Sequence, residues 1–183
     1  MNTTRTTFGL ALTGIAAMIT GGCGPQPAAE HQRPAVAECA TPGIEAGVAR
    51  VDRCSAESVL HAAITTIFSY RPHEQTDQQV AFGSARELMT PSFAQQGQPA
   101  ALVWAPITTQ QWQHWRDEGI EITAAVRLTR DDHPPDTATR AHRVLSVQLQ
   151  PGTEPPIAFA VYARATRAGA TASWLLAGLE VNL

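Results

Sequence analysis

The sequence contains no lysine: each of its 13 basic residues is an arginine. With abundant alanine, this bias points to a GC-rich coding background more than to a function. Charged residues make up only 16% of the chain, and acidic residues outnumber basic ones by 16 to 13. Proteins that neutralise nucleic-acid phosphates need a basic stripe, and none is present, so nucleic acid is not an expected partner. Also missing are a P-loop, a dinucleotide fingerprint and a G-x-S-x-G elbow. The nearest sequence to that elbow, Phe82-Gly83-Ser84-Ala85, falls inside a predicted helix. No cofactor motif remains, and none is expected to be bound.

Cysteine is scarce too, with three in the chain. Cys23 closes a leader made of Arg5, an apolar run from Phe8 to Ile19, and Thr20-Gly21-Gly22. Small residues before the cysteine let a signal peptidase approach, and the thiol can then carry a diacylglyceryl group. Such a lipid holds a protein to a membrane through about 0.8 kcal/mol per buried methylene. The rival is an ordinary signal peptide or a single span. A span needs about 20 strongly apolar residues, and this run is shorter and interrupted by Gly9, Thr13 and Gly14. Cys23 is therefore the expected lipidation site, with the protein extracytoplasmic and anchored to the cell membrane.

Cleavage before Cys23 removes Arg5 and leaves 12 basic residues against 16 acidic, a formal charge of −4. It also leaves Cys39 and Cys54 as a pair. In an exported protein two leftover thiols are expected to form a disulfide, closing a loop that contributes about 3 kcal/mol in the chain-entropy model. A metal pair is the alternative, but no His or further Cys sits at ligand spacing.

The chain then divides by composition: leader 1–22, lipidated Pro-rich tether 23–37, disulfide-anchored irregular segment 38–54, and one domain, 55–183. The tether carries too few large apolar side chains to build a core, and its prolines make it a semi-stiff spacer. Ser55 caps a first helix whose Val59, Ala63, Ile67 and Leu60, Ile64, Phe68 rows form one apolar stripe, ended by Pro72. Thr76 and Gln79 predict a capping box for a second helix running to Met89. Thr90-Pro91 caps a single turn closed by Gly97. Thr108 and Gln111 predict a box for a third helix, with Ile107 and Trp112 placed as a staple and Gly119 as the stop.

After Gly119 the period becomes two. Ile120 to Leu128, Arg140 to Gln150, Ile157 to Ala163 and Trp174 to Leu183 alternate apolar with polar residues, with Gly178 placed for a bulge. Short connections between long strands predict an antiparallel meander. Helices first and strands last predict an α+β domain, helices packed on one face of a curved four-stranded antiparallel sheet.

Three helices followed by such a sheet resemble the nuclear transport factor 2-like, or cystatin-like, cone. ELMTPSFAQQ resembles the helix-end segment of Mce-associated and conjugation-associated actinobacterial proteins. TTQQWQHWRDEGIEITAAVRL, continuing to DDHPPDT, is similar to extracytoplasmic proteins of actinobacterial conjugative elements. Those relate to the periplasmic assembly-factor domain of type IV secretion systems. The resemblance covers residues 55–183 and implies a cone fold and a non-enzymatic role in an envelope secretion, conjugation or transport complex. Family members typically enter the membrane by an N-terminal helix, whereas this chain carries Cys23.

Few residues offer chemistry. His73-Glu74-Gln75-Thr76-Asp77 half-matches H-E-x-x-H, but Pro72 and a capping Thr76 put it on a loop, without two ligands on one helix face. Asp131, Asp132, His133 and Asp136, with His142 beyond them, lack the six or more shaped oxygens of a calcium loop. No metal site is expected at either place. The core phase of the strands carries no carboxylate, while Arg143 falls in phase with Leu145 near a strand end. Tyr162 and Arg164 fall on the opposite phase. An enzyme in this fold needs an acid or base in the apolar interior, so no catalytic residue is assigned. Trp112 and Trp174 read as core. Trp104 and Trp115 are candidate partner anchors if exposed, and core residues otherwise. The leading function is protein docking in an envelope complex. The alternatives are a lipoprotein holding a small apolar molecule in the cone and, behind it, a cone-fold enzyme.

Overall fold

A computed structural model describes residues 51–130 and 133–182. Cys23, Cys39, the leader and the tether lie outside these residues, as do Asp131 and Asp132. The described chain is α+β: helices precede a four-stranded antiparallel sheet in the order β1-β2-β3-β4, which does not close on itself. Among the described residues no helix is long and apolar enough to cross a membrane.

Helix α1 spans Ala56–Phe68, and the Ser55 side chain accepts from the backbone N–H of Ser58. Its predicted stripe is fully buried: Val59, Leu60, Ala63, Ile64, Ile67 and Phe68 all face the core. Each large member contributes about 1.5–3 kcal/mol through burial. The helix stops at Phe68, before Pro72, because the next residues turn to the sheet. Ser69 Oγ donates to the Thr65 carbonyl, and Tyr70 exchanges backbone hydrogen bonds with Ile122.

Helix α2 is shorter than the sequence predicts, Gln78–Ser84, followed by a 3-10 turn at Arg86–Leu88. The predicted Thr76–Gln79 box does not form; Asp77 is the N-cap and accepts from the Gln79 N–H at 2.9 Å. A carboxylate one residue closer to the helix satisfies the orphan donor and favours the dipole. Thr90 caps α3, Pro91–Gln96, and α4, Ala101–Trp104, was not anticipated. The Thr108–Gln111 box of α5, Thr109–Asp117, forms in both directions. Gly119 takes φ 65°, a left-handed conformation natural to glycine.

Strands β1 (Ile122–Leu128), β2 (Arg140–Pro151), β3 (Ile157–Thr166) and β4 (Leu175–Asn182) form the predicted meander. Leu145, Leu149, Val161 and Leu176 point to α1 and are fully buried, and Phe68 meets Phe159 edge-on at 5.1 Å. The register shifts between Arg164 and Ala165, where Gly178 lies opposite Arg164. A second aromatic group joins α2, α3 and α4: Phe82 lies 5.8 Å from Phe93 and 5.6 Å from Trp104. Gly97 is required beside it, since a Cβ there would stand 2.9 Å from the Phe82 ring.

Candidate functional site

The face of the sheet turned away from α1 is open. Thr123, Ala125, Arg127, Arg140, Ser146, Gln148, Ala158, Tyr162, Arg164 and Glu180 are all exposed. An antiparallel sheet commonly solvates one face; the particular side chains here are what make it a candidate site. Register places Val144, Tyr162 and Glu180 in one cross-strand row and His142, Arg164 and Gly178 in the next. These rows line a cleft of about 470 Å³ to which α3 and α4 add Phe93, Gly97 and Trp104, and the β1–β2 loop adds His133 and Pro134. Tyr162 is 47% exposed, while Val144 beside it is buried apart from the main core.

The charged side chains lining the cleft are Arg164, Glu180 and Arg143, the last paired with Asp136 and Glu57. The Arg164 guanidinium lies against Gly178 and donates to the Ala177 carbonyl at 3.1 Å. The His142 imidazole is held below its ordinary pKa, first by desolvation and then by the guanidiniums of Arg164 and Arg140. It is therefore neutral at pH 7, and the cleft's positive charge rests on Arg164.

Arg143 points the other way, in the core phase as the alternation predicts, with only 12% of its side chain exposed. It forms a fork on both Asp136 oxygens (2.8 and 2.7 Å) and donates to Glu57 at 3.0 Å. The β1–β2 loop and the first turn of α1 are thus tied to the sheet through one guanidinium. Asp136 is held below the usual carboxylate range by that hydrogen bond, and Arg143 is pushed up by the same contact. A depressed carboxylate stabilises the fold above its unfolded pKa, and that stability is lost as pH falls through the folded value. Thermal unfolding of wild type should steepen below about pH 4, and Asp136→Asn should remove part of that slope. The half-exposed carboxylate limits the effect to about 1 kcal/mol or less. Equal acid sensitivity in the two proteins would show that the pair carries no linkage.

Two predicted anchors are corrected. Trp115 is 0% and Trp104 9% exposed, so neither protrudes as an anchor, and Trp104 only edges the cleft wall. Trp115 is enclosed because α5 is drawn onto the β2–β3 turn, where its indole N–H reaches both Glu154 oxygens at 3.1 Å. Trp104 is taken up by Phe82 and Phe93. Trp112, edge-on to Tyr70, and Trp174, under Arg167, are core residues as read from the sequence.

The residues screened for chemistry are dispersed. His73 sits 3.3 Å from Glu74 on a turn, and the Asp77 side chain is committed to capping α2. His133 contacts the neighbouring Pro134 carbonyl, and Asp136 belongs to Arg143. Burial drives the Tyr70 hydroxyl pKa upward, so it stays protonated at neutral pH. Ser84 Oγ donates back to the Val80 carbonyl within α2. Cys54 is exposed in the turn before α1, and its backbone N–H donates to Asp52; its expected partner Cys39 lies outside the described residues.

Tyr162 and Arg164 were legible only as the polar phase of a strand. The signal that marks them is their shared face with His142 and Arg140, which needs the β2–β3 register. In comparison with known proteins, the chain matches no family model, no curated protein and no solved structure.

Proposed function

We propose that this protein is a lipid-anchored, non-enzymatic docking component of a cell-envelope secretion, conjugation or transport complex. On this reading Cys23 carries the lipid, Cys39 and Cys54 are bridged, and residues 55–183 form a nuclear transport factor 2-like domain held outside the membrane. Kinship with conjugation-associated and Mce-associated extracytoplasmic proteins belongs to the same proposal, on the strength of the ELMTPSFAQQ and TTQQWQHWRDEGIEITAAVRL segments.

The observation that carries the docking role is the uncovered sheet face with its cleft, where Tyr162 and three arginines without an ion pair among the described residues meet solvent. Aromatic and arginine side chains concentrate binding energy at protein interfaces. The carboxylates described above are paired, exposed or capping and the buried Tyr70 hydroxyl stays protonated, which supports binding over catalysis. A second reading, retention of a small molecule, draws on the cleft volume, which lies within the range of ligand sites.

Crosslinking in the native host followed by affinity purification should recover envelope proteins. Tyr162→Ala should reduce that recovery several-fold while leaving the fold intact. Recovery of the protein alone, with normal transport in a deletion strain, would overturn the proposal. A small molecule released on denaturing the purified protein would favour the second reading.

A further inference from the structure

We infer that the open sheet face binds an extended acidic segment of a partner protein, with an apolar side chain between two carboxylates. The inference rests on the docking reading and names the chemistry of the partner. Charge supplies the first argument. The chain is acidic overall, at −3, yet this face carries Arg127, Arg140 and Arg164 against the single carboxylate of Glu180. Arg53, Arg71 and Arg143 are ion-paired, Arg116 and Arg167 are held by backbone carbonyls, and Arg86 and Arg130 stand apart from this face; among the described residues Arg127, Arg140 and Arg164 have no ion pair and share one sheet face. Unpaired guanidiniums grouped on one face of an acidic protein are complementary to an anionic partner. The pKa of His142 is lowered first by desolvation and next by Arg164 and Arg140, so both guanidiniums act on the same row.

Spacing supplies the second argument. Arg164 lies opposite His142, Tyr162 opposite Val144, and Arg127 opposite Ser146. Successive rows are therefore two residues apart along β2, about 6.8 Å. An extended peptide presents alternate side chains at the same interval. A segment crossing the rows obliquely, from the β4 side where the Arg164 guanidinium lies toward β1, would set one carboxylate against Arg164. The next inward side chain would lie on Val144 and the Tyr162 ring, and the next against Arg127.

Relief supplies the third. A planar lipid headgroup layer would touch protruding charges and leave a cleft of about 470 Å³ unfilled. An apolar peptide side chain can enter it. Small neighbours, Ala158, Ala160 and Ser146, leave room for a backbone to lie across the strands.

The test uses the full-length chain in a non-ionic detergent and a fluorescent peptide, Ser-Glu-Ser-Leu-Ser-Glu-Ser. Anisotropy should show saturable binding that weakens at least about tenfold in Arg164→Gln and in Arg127→Gln, and that also weakens with added salt. The Glu-to-Gln peptide should not bind, and replacing Leu by Ser should weaken binding. Glu180→Gln should tighten it. All variants should keep the wild-type circular dichroism spectrum, since the substituted side chains are exposed. No saturable binding, or equal binding by the arginine variants, overturns the inference. Displacement of the peptide by phosphatidylglycerol added to the micelles, with tighter binding of that lipid, overturns it in favour of a membrane surface. If envelope partners are still recovered by crosslinking while the peptide fails, the docking reading stands and this inference alone falls.

Discussion

Replacing Trp115 by Ala is expected to destabilise the domain by about 3–5 kcal/mol, the cost of emptying a fully enclosed aromatic site. Its side chain is wholly buried, edges the core that α5 makes with the sheet, and donates to Glu154. A domain of this size has about 5–15 kcal/mol in total, so the loss is a large fraction. Chemical denaturation followed by circular dichroism should show the transition shifted strongly to lower denaturant. Trp115→Phe keeps most of the volume and loses the indole N–H bond, so about 1 kcal/mol of stability should go. Loss of partner recovery in Trp115→Ala would accompany unfolding and would not mark Trp115 as an interface anchor. An Ala variant within about 1 kcal/mol of wild type would contradict the burial on which this rests.

The other large effect concerns location. On the proposed lipoprotein reading, Cys23→Ala should release the protein from the membrane fraction or leave an uncleaved precursor, because that reading gives the lipid no other acceptor at this position. A lipid anchor holds through its many buried methylenes, so the change should be close to all-or-none. Metabolic labelling with an azido fatty acid should mark wild type and leave the variant unlabelled. Unchanged membrane attachment of an unlabelled variant would make the leader itself the anchor.

Several elements of the fold were legible in the chain because their causes lie close together in sequence. The Ser55, Thr90 and Thr108 caps each bind a backbone N–H three residues on, so neighbours alone reveal them. The α1 stripe and the two-residue alternation of β1 to β4 follow from side-chain direction along a helix or strand. Short connections then make the meander the natural order. At Thr76 the same local argument failed, since two adjacent residues could cap α2 and Asp77 held the better position. Helix α4 escaped because four residues carry too little periodicity to be seen.

Which side chains meet depends on residues far apart in the chain. Arg143 reaches Glu57 across 86 positions, and Trp115 reaches Glu154 across 39. Composition placed Trp104 and Trp115 among the amphipathic residues suited to a surface or a core. Packing of α2, α3 and α4 enclosed the first, and docking of α5 onto the β2–β3 turn enclosed the second. The sheet face opposite α1 shows the same division. Alternation sorts Arg127, Arg140, Tyr162 and Arg164 to the polar phase of their strands, one strand at a time. Only pairing across strands turns that phase into rows and brings the guanidiniums onto one face, with Arg164 and Tyr162 at its cleft, because hydrogen-bond register links residues that sequence distance keeps apart.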